Sequence, residues 1–172
     1  MGYNAIFESA ITNVLSDYSD NKIRFFSERD LQAHLFYACR KLMEEQNFPC
    51  PLKLYAEKSV FSRRAKVDLV LGDDAVLVEL KLEPDYPGVN KPVVFTTKKE
   101  ASGSGSIEGD LEKIGEYSRK GKCAHLIVID EDGRHTQKIA NEKWKTVQIN
   151  LGGPNKLVHY IHVKHGPCDK HF

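Results

Sequence analysis

Two short segments of the chain, residues 65–71 and 75–82, have the composition of β-strands, and Gly72-Asp73-Asp74 lies between them. A turn-forming tripeptide between two such segments predicts a β-hairpin. Because successive side chains on a strand point to opposite faces, one face of this hairpin is entirely apolar. That face comprises Val67, Leu69, Leu71, Val76, Val78, Leu80 and Leu82. We therefore expect it to pack on a hydrophobic core.

The opposite face of the hairpin carries charged residues at one end. If residues 73–74 form a two-residue loop, Asp68 lies directly opposite Glu79, and Lys66 lies opposite Lys81. Directly opposed side chains on one face have Cβ atoms about 4.5–5.5 Å apart. Two carboxylates at that separation repel each other unless a cation or a shared proton lies between them.

Oxygen ligands of this kind suit Mg²⁺ or Mn²⁺. A metal ion held by Asp68 and Glu79 would polarise a phosphate and activate a water molecule. Lys81 points the same way, where it would position that water or offset charge that develops on the phosphate. The alternative interpretation is a solvated sheet face with a cross-strand salt bridge.

The pattern of Asp68 followed by the tripeptide Glu79-Leu80-Lys81 resembles the PD-(D/E)xK nuclease superfamily, which includes many restriction endonucleases and Holliday-junction resolvases. The resemblance covers roughly residues 27–130, where helix, three strands, helix and strand follow in the order of the family's common core. Val67 stands where the family name has proline.

The resemblance implies a role for each of these residues. Asp68 and Glu79 are expected to be metal ligands, and Lys81 the catalytic lysine. The backbone carbonyl of Leu80 is expected to join the metal shell. The implied activity is Mg²⁺-dependent or Mn²⁺-dependent hydrolysis of phosphodiester bonds in DNA, with RNA not excluded.

Many members of that superfamily also carry a glutamate on the helix before the strands, and Glu28 fits this position. It lies three residues before Leu31 and seven before Leu35, so it extends an inward-facing stripe. The alternative is a first-turn glutamate favoured by the helix dipole. Gln32, one turn later, is a weaker candidate for the same site.

The remaining pattern predicts one domain with a mixed β-sheet flanked by helices, an α/β class. The resemblance implies a restriction-endonuclease-like core within it. We expect an N-terminal helix region over residues 1–26, a catalytic core over 27–130, and a C-terminal helix and strands over 131–172. The individual elements are helices at 4–17, 27–46, 108–120 and 136–142, and strands at 52–60, 65–71, 75–82, 123–130, 146–151 and 157–163. Residues 83–106 form a long loop, with a short strand predicted at 93–95 and a Ser-Gly run at 102–106 that an engineered linker would also explain.

Cations near the hairpin are candidates for nucleic-acid contacts, because phosphate binding needs positive charge. These cations are Arg63, Arg64, Lys66, Lys91, Lys98 and Lys99. The alternative is solvated loop charge. The formal net charge is only +1, so any positively charged surface that binds DNA must be local.

Double-strand cutting at a single site usually needs two copies of an enzyme, so a homodimer is expected.

The cysteine and histidine residues raise a separate metal hypothesis. His159, His162, His165, Cys168 and His171 recur every three residues near the C-terminus, and these residue types bind zinc. A strand alternates with a period of two, so this spacing does not place them on one side, and a polar tail is the favoured alternative. No two of the four cysteines form a CxxC pair, which favours reduced thiols in a cytoplasmic protein.

Two functional classes remain open from the sequence. The first is a metal-dependent DNA nuclease of the repair, recombination or restriction type. The second is a nucleic-acid-binding or assembly module that keeps the fold but does not cut. No apolar run approaches the ~20 residues that cross a bilayer, so no membrane partner is expected.

Overall fold

The structure, a computed structural model, describes residues 1–61, 66–83, 107–131, 145–150 and 157–168. The elements in chain order are α1 (Tyr3–Ser19), α2 (Glu28–Glu45), β1 (Leu54–Ser59), β2 (Lys66–Leu71), β3 (Val76–Glu83), α3 (Ile107–Arg119), β4 (Cys123–Asp130), β5 (Lys145–Asn150) and β6 (Leu157–His165). The helix predicted at 136–142, the strand predicted at 93–95 and the Ser-Gly run lie outside the described residues.

The six strands form one mixed sheet in the order β1-β2-β3-β4-β6-β5. β3 and β4 are parallel, and the other neighbouring strands are antiparallel. The parallel pair follows from its connection, because the chain crosses through α3 between β3 and β4. The predicted α/β class with a mixed sheet flanked by helices is confirmed.

Helices cover both faces of the sheet. On the first face, here called the α1/α2 face, Leu69, Val78 and Ile127 pack in one core cluster with the two N-terminal helices. On the second, the α3 face, Leu77 and Leu126 pack in another cluster with α3. All eight residues of β4 are buried, as expected for a strand covered on both sides.

The hairpin has the predicted register with a longer turn. Leu69 pairs with Val78 and Leu71 with Val76, but residues 72–75 form a four-residue turn rather than the two-residue loop. Gly72 has φ of 70°, and a Cβ atom there would lie 2.9 Å from the Tyr3 ring. Glycine therefore satisfies both the backbone conformation and the close approach of α1.

Two details of the predicted hairpin are wrong. The ladder between β2 and β3 ends at the pair Leu69–Val78, so neither the predicted cross-strand pair of Asp68 with Glu79 nor that of Lys66 with Lys81 forms. Val67, expected on the same face as Leu69, packs in the cluster of the α3 face. The alternation is disturbed here because Glu57, on the neighbouring strand, has φ of 53°, and the β1–β2 pairing skips this residue.

Candidate active site

Glu28 is placed by the start of α2. Ser27 is the N-cap of this helix, and its side chain accepts a hydrogen bond of 3.2 Å from the Asp30 backbone N–H. In return, the Asp30 carboxylate accepts from the Phe26 N–H at 3.0 Å, which resembles the reciprocal pattern of a capping box. The first turn is thereby fixed, and Glu28 projects toward Lys81 on β3.

Lys81 lies at the centre of the site, and its ammonium contacts oxygens from three elements. The distances from Nζ are 3.2 Å to Glu28 Oε2, 3.0 Å to the Leu80 carbonyl and 3.1 Å to Asp110 Oδ2. Burial alone would lower the pKa of Lys81, but the charges of Asp110 and Glu28 reverse this effect and raise it. The side chain is therefore a positively charged group surrounded by anions.

Glu79 is buried on the α3 face, with only 2% of its surface exposed. Its Oε1 accepts a hydrogen bond of 3.0 Å from the Tyr117 hydroxyl, and its Oε2 lies 3.3 Å from Lys113 Nζ. Burial raises the pKa of Glu79 to about 7, and the attraction of Lys113 offsets only part of that effect. Asp110 and Asp68 add to the increase through their negative charges.

Asp68 occupies the point where the β2–β3 ladder ends. Its Oδ2 accepts a hydrogen bond of 2.7 Å from the Leu80 backbone N–H, so the side chain takes the place of a ladder contact. The Asp68 carbonyl accepts from Gln32 Nε2, also at 2.7 Å. Burial raises the pKa of Asp68, although the hydrogen bond from Leu80 and the charge of Lys81 act in the opposite direction. Gln32 thus positions Asp68 rather than replacing Glu28.

The structure adds Asp110, which the sequence interpretation missed. This residue of α3 is fully buried and forms ion pairs with Lys81 and Lys113. A sequence signal for it does exist. Among the α3 side chains that the structure describes, the buried ones are Ile107, Asp110, Ile114 and Tyr117, a helical stripe that contains an acid.

The solvated-face alternative is wrong for two of the hairpin residues, because Glu79 and Lys81 are both buried. The cluster contains the buried carboxylates of Glu79 and Asp110 and the half-buried carboxylates of Glu28 and Asp68, and its cations among the described residues are Lys81 and Lys113. Burial also raises the pKa of Glu28, as it does for Asp68 and Glu79. Within the part of the chain that the structure describes, the cluster therefore brings four carboxyl groups together with two lysines.

This donor set fits a hard divalent cation, which prefers carboxylate and carbonyl oxygens. Oδ2 of Asp110 is buried and has no aligned hydrogen bond among the described residues, although Lys81 is its ionic neighbour. The Leu80 carbonyl, expected in the metal shell, accepts from Lys81 Nζ. A metal ligated by that carbonyl would use its second lone pair and would lie close to the Lys81 ammonium.

The candidate nucleic-acid contacts fall mostly on residues that the structure does not describe, namely Arg63, Arg64, Lys91, Lys98 and Lys99. Lys66 is exposed at the start of β2, where its partner across the sheet is Ser59 of β1. It stays a candidate for a phosphate contact.

A second polar cluster lies on the α1/α2 face. The expectation of reduced thiols is wrong for one pair, because Cys123 forms a disulfide with Cys168, while Cys39 and Cys50 are free. Beside the disulfide, His125 is fully buried, and burial, followed by the nearby His162, holds its pKa well below the usual range.

The histidine run at the C-terminus is not brought together as a set. His162 is half-buried with Nε2 2.7 Å from His125 Nδ1, whereas His165 is exposed. The side chain of His159 and the whole of His171 lie outside the described residues. The sequence interpretation had not included Cys123 or His125.

Comparisons of the chain with protein-family models, with curated proteins and with solved structures find no match. Among the described residues, none of the helices has both the length and the apolar character that crossing a membrane requires.

Proposed function

We propose that the protein is a Mg²⁺-dependent or Mn²⁺-dependent nuclease that hydrolyses phosphodiester bonds in DNA. The observation that carries the proposal is a chain of close interactions: Glu28 pairs with Lys81, the charge of Lys81 acts on Asp68, and the charge of Asp68 acts on Glu79. These residues come from α2, β2 and β3, and they were singled out by the resemblance to the PD-(D/E)xK superfamily. A buried, negatively charged cluster with perturbed pKa values is a feature of catalytic sites.

In this proposal the carboxylates of Asp68 and Glu79 hold the metal ion, with the Leu80 carbonyl and Glu28 as further oxygen donors. When bound, Mg²⁺ supplies Lewis-acid polarisation of the phosphate and a lowered pKa for bound water. Asp68 is preorganised by the Leu80 N–H at 2.7 Å, and Gln32 fixes its backbone. The Tyr117 hydroxyl and Lys113 orient the two oxygens of Glu79.

Lys81 has two roles in this proposal. In the structure, its ammonium compensates Glu28 and Asp110. In the working enzyme, the same flexible side chain turns toward the scissile phosphate, where it orients the attacking water or offsets developing negative charge. Asp110 acts as a counter-ion that keeps Lys81 and Lys113 protonated, because its charge raises the pKa of both.

The second candidate function is a module of the same fold that binds nucleic acid or a protein partner without cutting. One observation favours it: Lys81 and Lys113 already form ion pairs with three of the four carboxylates, namely Glu28, Asp110 and Glu79. Such a network can stabilise a fold without a metal, although replacing buried ion pairs by apolar residues is often neutral or stabilising. The network alone therefore does not explain why these groups are buried.

Cleavage assays with Asp68→Asn distinguish the two candidates. Asparagine keeps an oxygen that can accept from the Leu80 N–H, so this variant removes charge while it preserves shape. The protein is incubated with supercoiled, linear, single-stranded and branched DNA, and with RNA, in Mg²⁺ or Mn²⁺. We expect the wild type to cut DNA and the variant to cut it at a rate at least about 100-fold lower.

Asp73→Asn is the matched control, because Asp73 lies on the turn of the same hairpin and is exposed. It should cut as the wild type does. The nuclease proposal fails if no nucleic acid is cut in either metal, or if Asp68→Asn cuts at the wild-type rate.

The expected homodimer is tested by sedimentation with and without uncut DNA in Ca²⁺.

A further inference from the structure

The start of β4 and the C-terminal turn meet in a cluster of sulfur and nitrogen atoms. Cys123 and Cys168 are joined by a disulfide, with Cα atoms 4.7 Å apart. Nε2 of His125 lies 3.1 Å from Cys123 Sγ. One ligand atom from each of these three residues lies within 4.8 Å of the other two, and all three residues are buried. Two sulfurs and an imidazole in this arrangement match the residue types of a structural zinc site.

The local structure explains the convergence. Cys123 and His125 are two residues apart on β4, so they share a face of the sheet. Cys168 returns to them through the turn at Gly166, whose φ is 90°. A Cβ atom at Gly166 would lie 2.1 Å from the Lys122 carbonyl oxygen, so only glycine permits this close approach.

The spacing is compatible with zinc once the sulfurs are no longer bonded to each other. Zinc binds thiolate sulfur at about 2.3 Å and imidazole nitrogen at about 2.0–2.1 Å in tetrahedral geometry, which places ligand atoms about 3.5–3.8 Å apart. The separations among Cys123, His125 and Cys168 are within reach of these values. Zinc binding therefore requires the two cysteine side chains to rotate apart after reduction.

Two neighbours complete the site. Nδ1 of His125 lies 2.7 Å from His162 Nε2, so the tautomer that donates Nδ1–H to His162 is the one whose Nε2 can bind a metal, whereas the other tautomer donates Nε2–H to Asn4 Oδ1. Metal-bound histidines usually have their second ring nitrogen held in this way. Asn4 Oδ1 lies 2.9 Å from His125 Nε2 and 3.3 Å from Cys123 Sγ, the place of a fourth ligand.

We propose that the reduced protein binds one Zn²⁺ through Cys123, His125 and Cys168, with Asn4 or water as the fourth ligand. The turn at Gly166 is then held to β4 by the disulfide in the oxidised protein and by zinc in the reduced protein. A dithiol supplies two electrons and two protons to the disulfide and itself becomes a disulfide. The two cysteine thiols release their protons when their thiolates bind the metal.

The proposal does not depend on the nuclease function, because Glu79 and Lys81 lie on the α3 face and the cysteines lie on the α1/α2 face. The two sites also differ in chemistry, with oxygen donors in one and sulfur and nitrogen donors in the other. An absorption band that arises from thiolate ligation of a metal ion therefore indicates binding at this cluster and not at the acidic one.

The experiment is an anaerobic titration of the full chain with Co²⁺, followed by displacement with Zn²⁺. The disulfide is first reduced with a phosphine, which takes oxygen from water to form the phosphine oxide as two thiols form. We expect the thiolate-to-cobalt charge-transfer absorption and the tetrahedral visible bands to saturate at one Co²⁺ per chain, and Zn²⁺ to remove them. The oxidised protein should show neither.

Cys168→Ser and Cys50→Ser are the matched pair of variants. Cys168→Ser removes one ligand, which should weaken binding by at least the roughly 10- to 100-fold typical of a lost outer partner, and should reduce the charge-transfer intensity. Cys50 is exposed and free, so Cys50→Ser should bind as the wild type does. Absence of the charge-transfer band in reduced wild type, or an unchanged band in Cys168→Ser, overturns the proposal.

A second measurement covers the case in which Cys168→Ser folds poorly. Reduced wild-type protein is alkylated with and without Zn²⁺, and the modified peptides are identified by mass spectrometry. Zinc should slow the alkylation of Cys123 and Cys168 and leave that of exposed Cys50 unchanged. Equal alkylation of all cysteines with and without zinc overturns the proposal.

Discussion

The Lys81 ammonium lies 3.2 Å from the Glu28 carboxylate, although 53 residues separate the two in the chain. The same ammonium lies 3.1 Å from Asp110 on a third element. Lys81 therefore joins α2, β3 and α3 at one point, and the charge of a single side chain is coupled both to the stability of the fold and to the proposed chemistry.

The substitution Lys81→Met should lower the free energy of unfolding by about 2–4 kcal/mol, because it leaves Asp110 buried without one of its cations. In addition, Mg²⁺ should stabilise this variant more than it stabilises the wild type, since the metal no longer competes with the ammonium for the same oxygens. Urea denaturation with Mg²⁺ and with chelator measures both effects. Lys66→Met, at an exposed position on the same hairpin, is the control, and equal Mg²⁺ effects in all three proteins would contradict the competition.

The pKa of Glu79 makes stability depend on pH. Glu79 has a pKa of about 7 in the folded protein against 4.5 as its ordinary value, so between these values the folded state binds more protons than the unfolded state. The free energy of unfolding should therefore fall as pH rises from 4.5 to 7, by about 1–3 kcal/mol, and then level off.

The matched variant for this pH dependence is Glu79→Gln, which should flatten the slope in chelator. Glu112→Gln, at an exposed position on α3, should leave it in place. Denaturant titrations at several pH values provide the comparison. The same slope in Glu79→Gln and in the wild type would show that another group is responsible.

Gln32→Ala should loosen Asp68 without removing any charge. The amide of Gln32 donates to the Asp68 carbonyl at 2.7 Å, and loss of this bond should cost about 1 kcal/mol. Because the Asp68 side chain accepts from the Leu80 N–H, hydrogen exchange at Leu80 should become faster. The measurement is amide exchange by NMR, and Gln46→Ala, an exposed change at the other end of α2, should leave Leu80 unaffected.

Ser27→Ala should destabilise the protein by about 1 kcal/mol, because the Ser27 side chain accepts from the Asp30 N–H at the start of α2. The first turn that carries Glu28 should fray, which weakens the contact with Lys81. Thermal and urea unfolding give the stability. Ser19→Ala at the end of α1 is the control, since the Ser19 hydroxyl donates only to an exposed carbonyl of its own helix, and a loss as large as that of Ser27→Ala would argue against a capping effect.

The hairpin half of the site could be predicted from the sequence because its geometry is local. Strand alternation and the turn place Asp68, Glu79 and Lys81 in one neighbourhood, and the register of Leu69 with Val78 is the predicted one. Glu28 could be predicted for a related reason, since an acid on an inward-facing helical stripe requires a partner. Both inferences depend on short stretches of chain with clear periodicity.

The part of the candidate site that α3 contributes could not be predicted in the same way. Asp110 and Lys113 reach the site only because α3 packs across the sheet, and no local pattern states which strand a helix will cover. The acid within the stripe of Ile107 and Ile114 was a usable signal, but α3 itself does not indicate that Asp110 will pair with Lys81, or Lys113 with Glu79.

The Cys123–Cys168 contact was missed for a different reason. The three-residue spacing of the C-terminal run does not place its histidines on one face, and His162 and His165 indeed differ in burial. The partners of Cys168 come instead from β4, a strand identified from its apolar residues. A long-range contact between a strand and a turn leaves no periodic signal in either segment.

The parallel pairing of β3 with β4 has a consequence for the order of folding. The antiparallel hairpin of β2 and β3 joins neighbouring segments and forms at a low entropic cost, whereas β3 meets β4 only after a long connection closes. Asp110 and Lys113 reach Glu79 and Lys81 in that later step. During synthesis, both strands of the hairpin are therefore made before Asp110 and Lys113, and the acidic cluster is complete only when the central pairing of the sheet has formed.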